Sequence, residues 1–510
     1  MIAKVNSAAV LGLNPVLVDI EVSIDSSGFP SFTIVGLPDK SVEESKERVR
    51  AALKNSSATF PNRRITVNLA PADFAKEGPS FDLPIALGIL NASEQIQVDV
   101  SDSLFLGEIS LDGSLRSTKG VLPAAILARE LNLKRIFVPQ ENVLEASVVG
   151  GLKVYPVATL RELYFHLVGQ TRIKEASPLA LGDLLTESAA EIDFADIKGQ
   201  ESAKRALELA AAGGHNVLMK GPPGSGKTLL ARSFPSILPK LTIEEALEVT
   251  KIYSIAGLLS LATPIVSRRP FRSPHHSVSR AGLVGGGSSL LPGEISLAHR
   301  GVLFLDEFSE FPRHVLESLR QPVEDGIVTI SRAMGSVSYP SKFVLIASQN
   351  PCPCGYLGDR KRSCICSPSN VVRYQKRVSG PLLDRIDIHV EVPAVEVEKL
   401  GDDKKFTGEE SRLVRERVQK ARDIQTQRFK DLPTTCNAEM SVKQIREFCP
   451  LPSQVREFLN VASSSMSLSA RSYHRLIKVA RTIADLEGSL ELKVAHFSEA
   501  LQFRFRDGLI

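Results

Sequence analysis

Apolar and polar positions alternate over Val16, Val18, Ile20, Val22 and Ile24, the period of a half-buried strand. Phe32–Val35 and Ile65–Leu69 repeat the pattern, and Ser41–Lys54 carries the charged pattern of a surface helix. Leu104–Leu115 reads as a hairpin turning at Asp112-Gly113, followed by a helix over Gly120–Leu131 and a strand over Arg135–Val138. Residues 1–168 therefore predict a compact α+β unit, and 169–190, which lack a clean period, read as a linker. Beyond them the pattern changes. A helix over Ser202–Ala212 precedes three wholly apolar runs, Val217–Met219, Val302–Leu305 and Phe343–Ala347, the mark of buried parallel strands. From Ser441 onward the chain is helical by pattern.

Each apolar run ends in polar chemistry. The first leads into Gly221-Pro222-Pro223-Gly224-Ser225-Gly226-Lys227-Thr228, a full match to the phosphate loop G-x-x-x-x-G-K-[ST]. Its glycines let backbone N–H groups surround phosphate oxygens, Lys227 brings an ammonium to the β and γ phosphates, and the Thr228 hydroxyl can sit on Mg²⁺. The second run ends in Asp306-Glu307, at the strand end where ligands bind in α/β sheets. There Asp306 would hold Mg²⁺ and Glu307 would orient an attacking water. The third ends in Asn350, an amide able to hold the same water by hydrogen bonding. ATP and Mg²⁺ are the cofactors that this set implies.

Composition excludes several classes. Apolar content of 43% and charged content of 24% are ordinary for a globular chain among 510 residues, a length that suggests two to four domains. No apolar run approaches a membrane span, and no cationic leader precedes a long apolar core, so a cytoplasmic protein without membrane attachment is expected. The net charge of +4 confines any nucleic-acid surface to local patches. Four of the six cysteines cluster as Cys352-x-Cys354 and Cys364-x-Cys366, within 351–367; two short thiol loops suit a tetrahedral Zn²⁺. Arg360, Lys361, Arg362, Arg373, Lys376 and Arg377, with Tyr356 and Tyr374, surround them and suit a phosphate backbone, although a solvated charged face has the same composition. The adjacent His275 and His276 read as structural.

Two resemblances extend this. Gly78-Pro-Ser80, Gly107-Glu-Ile-Ser-Leu-Asp-Gly113 and Ile136–Asn142 resemble the proteolytic domain of Lon-family proteases, which use a serine activated by a lysine. Ser80 falls on the serine position, but Leu122 falls on the lysine position, and Lys76 and Lys119 are out of register. A serine without a base is a poor nucleophile, so a Lon-like fold without the Ser-Lys dyad is expected. The second resemblance covers nearly the whole chain. The phosphate loop, a Gly-rich insertion over Ser273–Ser296, a hairpin over Val328–Tyr339 before the Asn350 strand, the four cysteines, Gly380-Pro-Leu-Leu-Asp-Arg385-Ile-Asp387 and Ser469-Ala-Arg471 resemble the YifB/ComM family of magnesium-chelatase-like AAA+ proteins.

That resemblance implies an AAA+ core over 191–395 and a helical lid over 396–510, with Asp196–Gln200 against the adenine. It implies that Arg385 is an arginine finger reaching the next subunit of a hexamer, unless it pairs within its own subunit with Asp384 or Asp387. It also implies that Arg471, or failing that Arg475, is the lid arginine touching the γ-phosphate. The expected activity is a ring ATPase that moves on branched or single-stranded DNA in its pore and promotes branch migration in recombination during natural transformation. The alternatives are a motor for metal insertion into a porphyrin, a Lon-type protease and a non-enzymatic DNA scaffold.

Overall fold

Alternating burial along Asn14–Asp25, with Val18, Ile20 and Val22 inside, seats this strand in a seven-stranded sheet. The computed structural model describes residues 2–26, 29–179, 182, 192–287, 290–332, 335–359, 362–394, 408–466 and 468–504. Residues 180, 181 and 183–190 of the expected linker, the boundary between 395 and 396, and Arg360 and Lys361 lie outside the described residues. The first sheet runs Ser31–Val35, Arg64–Ala70, Asn14–Asp25, Ile2–Leu11, Ser103–Phe105, Arg135–Pro139, Lys153–Val157. Asn14–Asp25 pairs antiparallel with both neighbours, while the last three strands are parallel. Helix Lys40–Asn55 starts where Asp39 accepts the Val42 N–H at 2.7 Å, and the apolar helix Asp82–Ala92 is buried against the sheet.

The hairpin expected over Leu104–Leu115 is shorter than the pattern suggests. Leu104 belongs to the large sheet, and only Glu108–Ile109 pairs with Leu115–Arg116 around Asp112-Gly113. Continuous hydrophobicity over Leu104–Leu106 comes from burial on both faces, which periodicity alone does not separate from a hairpin arm.

A second sheet has five parallel strands in the order Phe271–Arg272, Val302–Leu305, Val344–Gln349, Val217–Lys220, Ile388–Glu391. Its four-residue runs are buried end to end because helices cover them. The strand ending before Asn350 lies between the strands ending at the phosphate loop and at Asp306, so three polar termini meet at one sheet edge. The architecture is mixed α/β with parallel sheets. Helices Ser411–Arg428, Ala470–Leu486 and Val494–Gln502 share one core with the sheet through Val418, Leu476 and Phe497. Polar ties join them: Gln425 donates to the Ala212 carbonyl at 3.0 Å, and His215 meets Thr482 at 2.8 Å.

A buried carboxylate is among the groups that link the two sheets' units. The Glu145 carboxylate accepts the Leu122 N–H at 2.9 Å and the Ser254 hydroxyl at 2.5 Å, joining helix Val121–Glu130 to helix Ile243–Ala256. Burial raises its pKa despite these donors. Among the described residues no helix is long and apolar enough to cross a membrane.

Candidate active site

The phosphate loop turns tightly after Lys220. Gly221 passes so close to the Val392 carbonyl that a Cβ would sit 2.1 Å from its oxygen. Gly224 and Gly226 have φ of 74° and 91°, with open space where a side chain would point, leaving a cradle of backbone N–H groups before helix Lys227–Ser233. Lys227 Nζ donates to the carbonyls of Gly221 and Pro222, each at 2.8 Å, and to Asn350 Oδ1 at 3.3 Å. Burial lowers its pKa, with Asp306 opposing. Its ammonium is thus held by neutral oxygens that an anion can outcompete.

Thr228 Oγ1 donates to Asp306 Oδ2 at 2.8 Å, so the hydroxyl and carboxylate suited to a divalent cation already face each other. The other Asp306 oxygen accepts the Ser348 hydroxyl and the Glu307 N–H. Glu307 has φ 53° and ψ 46°, a left-handed backbone that costs a non-glycine residue about 1 kcal/mol or more and here turns its carboxylate out from the sheet. His276 Nδ1 lies 3.4 Å from Glu307 Oε2, and its ring centre lies 4.0 Å from that of His275, tilted by 35°. Gln200 Nε2 reaches the Ser225 carbonyl at 3.3 Å, tying Asp196–Gln200 to the loop; Phe194, Ile197 and Gly199 of that segment line a cavity of about 390 Å³ that no phosphate-loop residue borders.

Arg385, Arg471 and Arg475 are not in this group. Arg385 and Asp387 stand at the N-terminal end of strand Ile388–Glu391, whose register pairs Val217 with Ile388 and Lys220 with Glu391. The phosphate loop leaves the other end, about 10 Å away along the strand. Arg385 pairs with Glu324, not with Asp384 or Asp387 as the intrasubunit alternative supposed. Arg471 pairs with the second oxygen of Glu324 at 2.7 Å, so one carboxylate holds both arginines. Arg475 is committed elsewhere: its guanidinium bonds Asp387 at 2.6 Å and the Arg385 carbonyl at 2.5 Å. Asp387 is held well below the usual carboxylate range: burial opposes this, but Arg475, His215 and the Asn216 N–H prevail. A cavity of about 970 Å³ opens at this end and is lined by Glu324, Asp387, Arg471 and Arg475 among others.

The four cysteines are brought together. Cys352, Cys354 and Cys364 have sulfurs 3.4–3.6 Å apart, and all four Sγ lie within 4.8 Å of one another. The surrounding aromatics differ from expectation. Tyr374 is buried, because helix Pro368–Gln375 turns it inward, and Tyr356 is covered by Arg362, whose guanidinium lies 5.2 Å from the ring centroid. Arg377 is paired with Glu310 at 2.8 Å, leaving Arg373 and Lys376 exposed. In the first sheet Leu122 is fully buried, Lys76 donates to the carbonyls of Pro71 and Phe74, and the Lys119 stem lies against Gly257.

Ser348, His276 and Glu324 were not singled out for chemistry. Ser348 lies inside the apolar run before Asn350, so its position there was the available signal; nothing local marks Glu324.

Comparison with known proteins covers almost the whole chain. Residues 193–400 match magnesium chelatase, subunit ChlI; 20–142 match subunit ChlI of Mg-chelatase; and 408–504 match the ChlI C-terminal family. The competence protein ComM of Haemophilus influenzae is 45% identical over 99% of this chain and 97% of its own length. YifB of Escherichia coli is 42% identical over 99% and 97%. The magnesium-chelatase 38 kDa subunit of Cereibacter sphaeroides is 29% identical over 31% of this chain and 52% of its own.

Proposed function

We propose a function for this chain, which belongs to the ComM/YifB family of magnesium-chelatase-like AAA+ proteins: it hydrolyses ATP as a ring-shaped motor on DNA, promoting branch migration during recombination in natural transformation. The observation that carries the ring is the separation of the phosphate loop from Arg385 and Arg471 by the length of the central strands.

In this reading the N–H groups of Gly221–Thr228 bind the triphosphate, and Lys227 Nζ exchanges its two carbonyl partners for phosphate oxygens. Asp196–Gln200 and the cavity beside it take the base. Thr228 and Asp306 would hold Mg²⁺, which would supply charge neutralisation to the triphosphate. Glu307 accepts a hydrogen bond from the attacking water and Asn350 orients it. Arg385 and Arg471 leave Glu324 for the nucleotide of the neighbouring subunit and stabilise the charge that develops there. A hexamer is the expected assembly, and the cytoplasm the expected location.

DNA as the substrate rests on relatedness over the full length to a competence protein, with the hairpin Ile327–Pro340 and the exposed Arg373 and Lys376 as candidate contacts. Residues 1–168 are read as a Lon-like scaffold without a dyad, followed by a linker over 169–190, the AAA+ core over 191–395 and the helical lid over 396–510. Zn²⁺ is assigned to Cys352, Cys354, Cys364 and Cys366. The chelatase reading is the runner-up, since the family descriptions name that enzyme, yet the 38 kDa chelatase subunit of Cereibacter sphaeroides aligns with only 31% of this chain, against 99% for the competence protein.

ATP turnover measured alone and with single-stranded, double-stranded and branched DNA tests the proposal. Stimulation of at least about fivefold by one DNA form, largest for the branched one, is expected. ATPase activity that no DNA alters and that a tetrapyrrole with Mg²⁺ stimulates would favour the chelatase motor.

A further inference from the structure

The four-cysteine cluster sits against the wall of the phosphate loop. Strand Val344–Gln349 ends with the Gln349 carbonyl accepting the Gly221 N–H at 3.2 Å. The next residue, Asn350, touches Lys227. Pro351 follows, its carbonyl fixed by Gln375 Nε2 at 3.1 Å, and then Cys352, which is fully buried. Two residues of chain therefore separate the first thiol from a strand terminus that is hydrogen-bonded to the loop.

A second contact closes the circuit. The turn after Cys352, in which the Gly355 N–H bonds the Cys352 carbonyl at 2.9 Å, presents Gly355 to Pro223. A Cβ there would stand 2.5 Å from Pro223 Cδ and 2.6 Å from Cγ, and φ at Gly355 is +85°, so glycine is required on both counts. Pro223 is the third residue of the phosphate loop. The cysteine turn is its outer buttress.

The turn has little of its own to hold it. Among the described residues, 351–367 contain no helix or strand, and Ile365 is 88% exposed. What gathers it is sulfur. The spacings of 3.4–3.6 Å are too long for disulfides, whose S–S bond is about 2.05 Å. They approach the edge of about 3.8 Å expected of a tetrahedron with Zn–S bonds of about 2.3 Å. Metal binding to such a site closes the loop and orders it.

We infer that zinc held by Cys352, Cys354, Cys364 and Cys366 braces the phosphate loop through Gly355 and Pro223, so that metal occupancy sets nucleotide affinity. This rests on the ATP-binding reading of the loop and adds to it a structural ion that controls it. Without zinc the turn withdraws from Pro223 and the strand end at Asn350 loses its anchor. The backbone cradle is then no longer held open for phosphate.

The test uses the full-length protein, with zinc counted by mass spectrometry and ADP affinity measured by calorimetry. Wild type is expected to hold one zinc per chain. Cys364→Ser/Cys366→Ser, whose substitutions lie on the arm away from Asn350, is expected to hold none and to bind ADP about tenfold more weakly. Chelated wild type should show the same loss and recover it with added zinc, which separates bracing from misfolding. Gly355→Ala should keep its zinc and still weaken ADP binding. A zinc-free wild type, or a double serine variant within twofold of wild-type affinity, overturns the inference while leaving the ATP-binding reading standing. A zinc-loaded wild type that binds no nucleotide ends both.

Discussion

At one end of the central strands the chain has shaped an uncharged backbone cradle, and at the other it has tied its charges to one another beside a wide cavity. The phosphate-loop end is glycine-rich, with Gly224 and Gly226 facing open space and Lys227 resting on neutral carbonyls. The opposite end is a network of charges: Asp387 takes Arg475 and the Asn216 N–H, and Glu324 takes Arg385 and Arg471. An end with vacant donors around a cradle is built to receive an anion. An end with arginines paired to one half-exposed carboxylate can lend them out. In the proposed ring the two ends belong to different halves of one site, and within a subunit they stand about 10 Å apart along the strand.

The sharpest way to break this contrast is Arg385→Ala. Turnover should fall about 10³-fold while ADP affinity stays within threefold, as befits a group that acts on another subunit's transition state. A matching loss of affinity would place Arg385 at its own loop. Next is Asp387→Asn, which leaves Arg475 buried against a neutral amide. Denaturant unfolding should show a loss of about 3 kcal/mol with the loop's affinity nearly unchanged. Lys227→Ala should do the reverse, weakening ADP binding about 100-fold, or between 2 and 3 kcal/mol, without lowering stability by more than about 1 kcal/mol.

The most gradual effect expected is a pH slope. Burial, with Arg504 nearby, pushes His389 down to about 4. The folded state therefore resists a proton that the unfolded chain accepts near 6.5. This stability is complete above pH 6.5 and is lost as pH falls toward 4, by about 3 kcal/mol at most. His389→Gln should flatten that part of the curve in thermal melts.

The receiving end was legible in sequence because its signals are local. The match over Gly221–Thr228, the apolar run before Asp306 and the run before Asn350 each carry strand and chemistry in one short window. Parallel pairing then brings the three termini together without further instruction. The lending end was legible only in part. Arg385 and Arg471 stand out by resemblance, but Glu324 is 147 residues from Arg471, and no period or spacing connects them. His276 was read as structural, and its approach to Glu307 depends on how the Gly-rich insertion folds back. Tyr374 looked like part of a basic, aromatic surface because composition does not say which face of helix Pro368–Gln375 is buried.

The central claim is that one subunit's loop and its neighbour's arginine make one active site. Mixing Lys227→Ala with Arg385→Ala at equal concentration tests it most directly. Each variant alone should be inactive, and random mixing should rebuild an intact interface at about a quarter of positions, returning roughly that share of wild-type turnover. A mixture no more active than its two components would contradict the shared site.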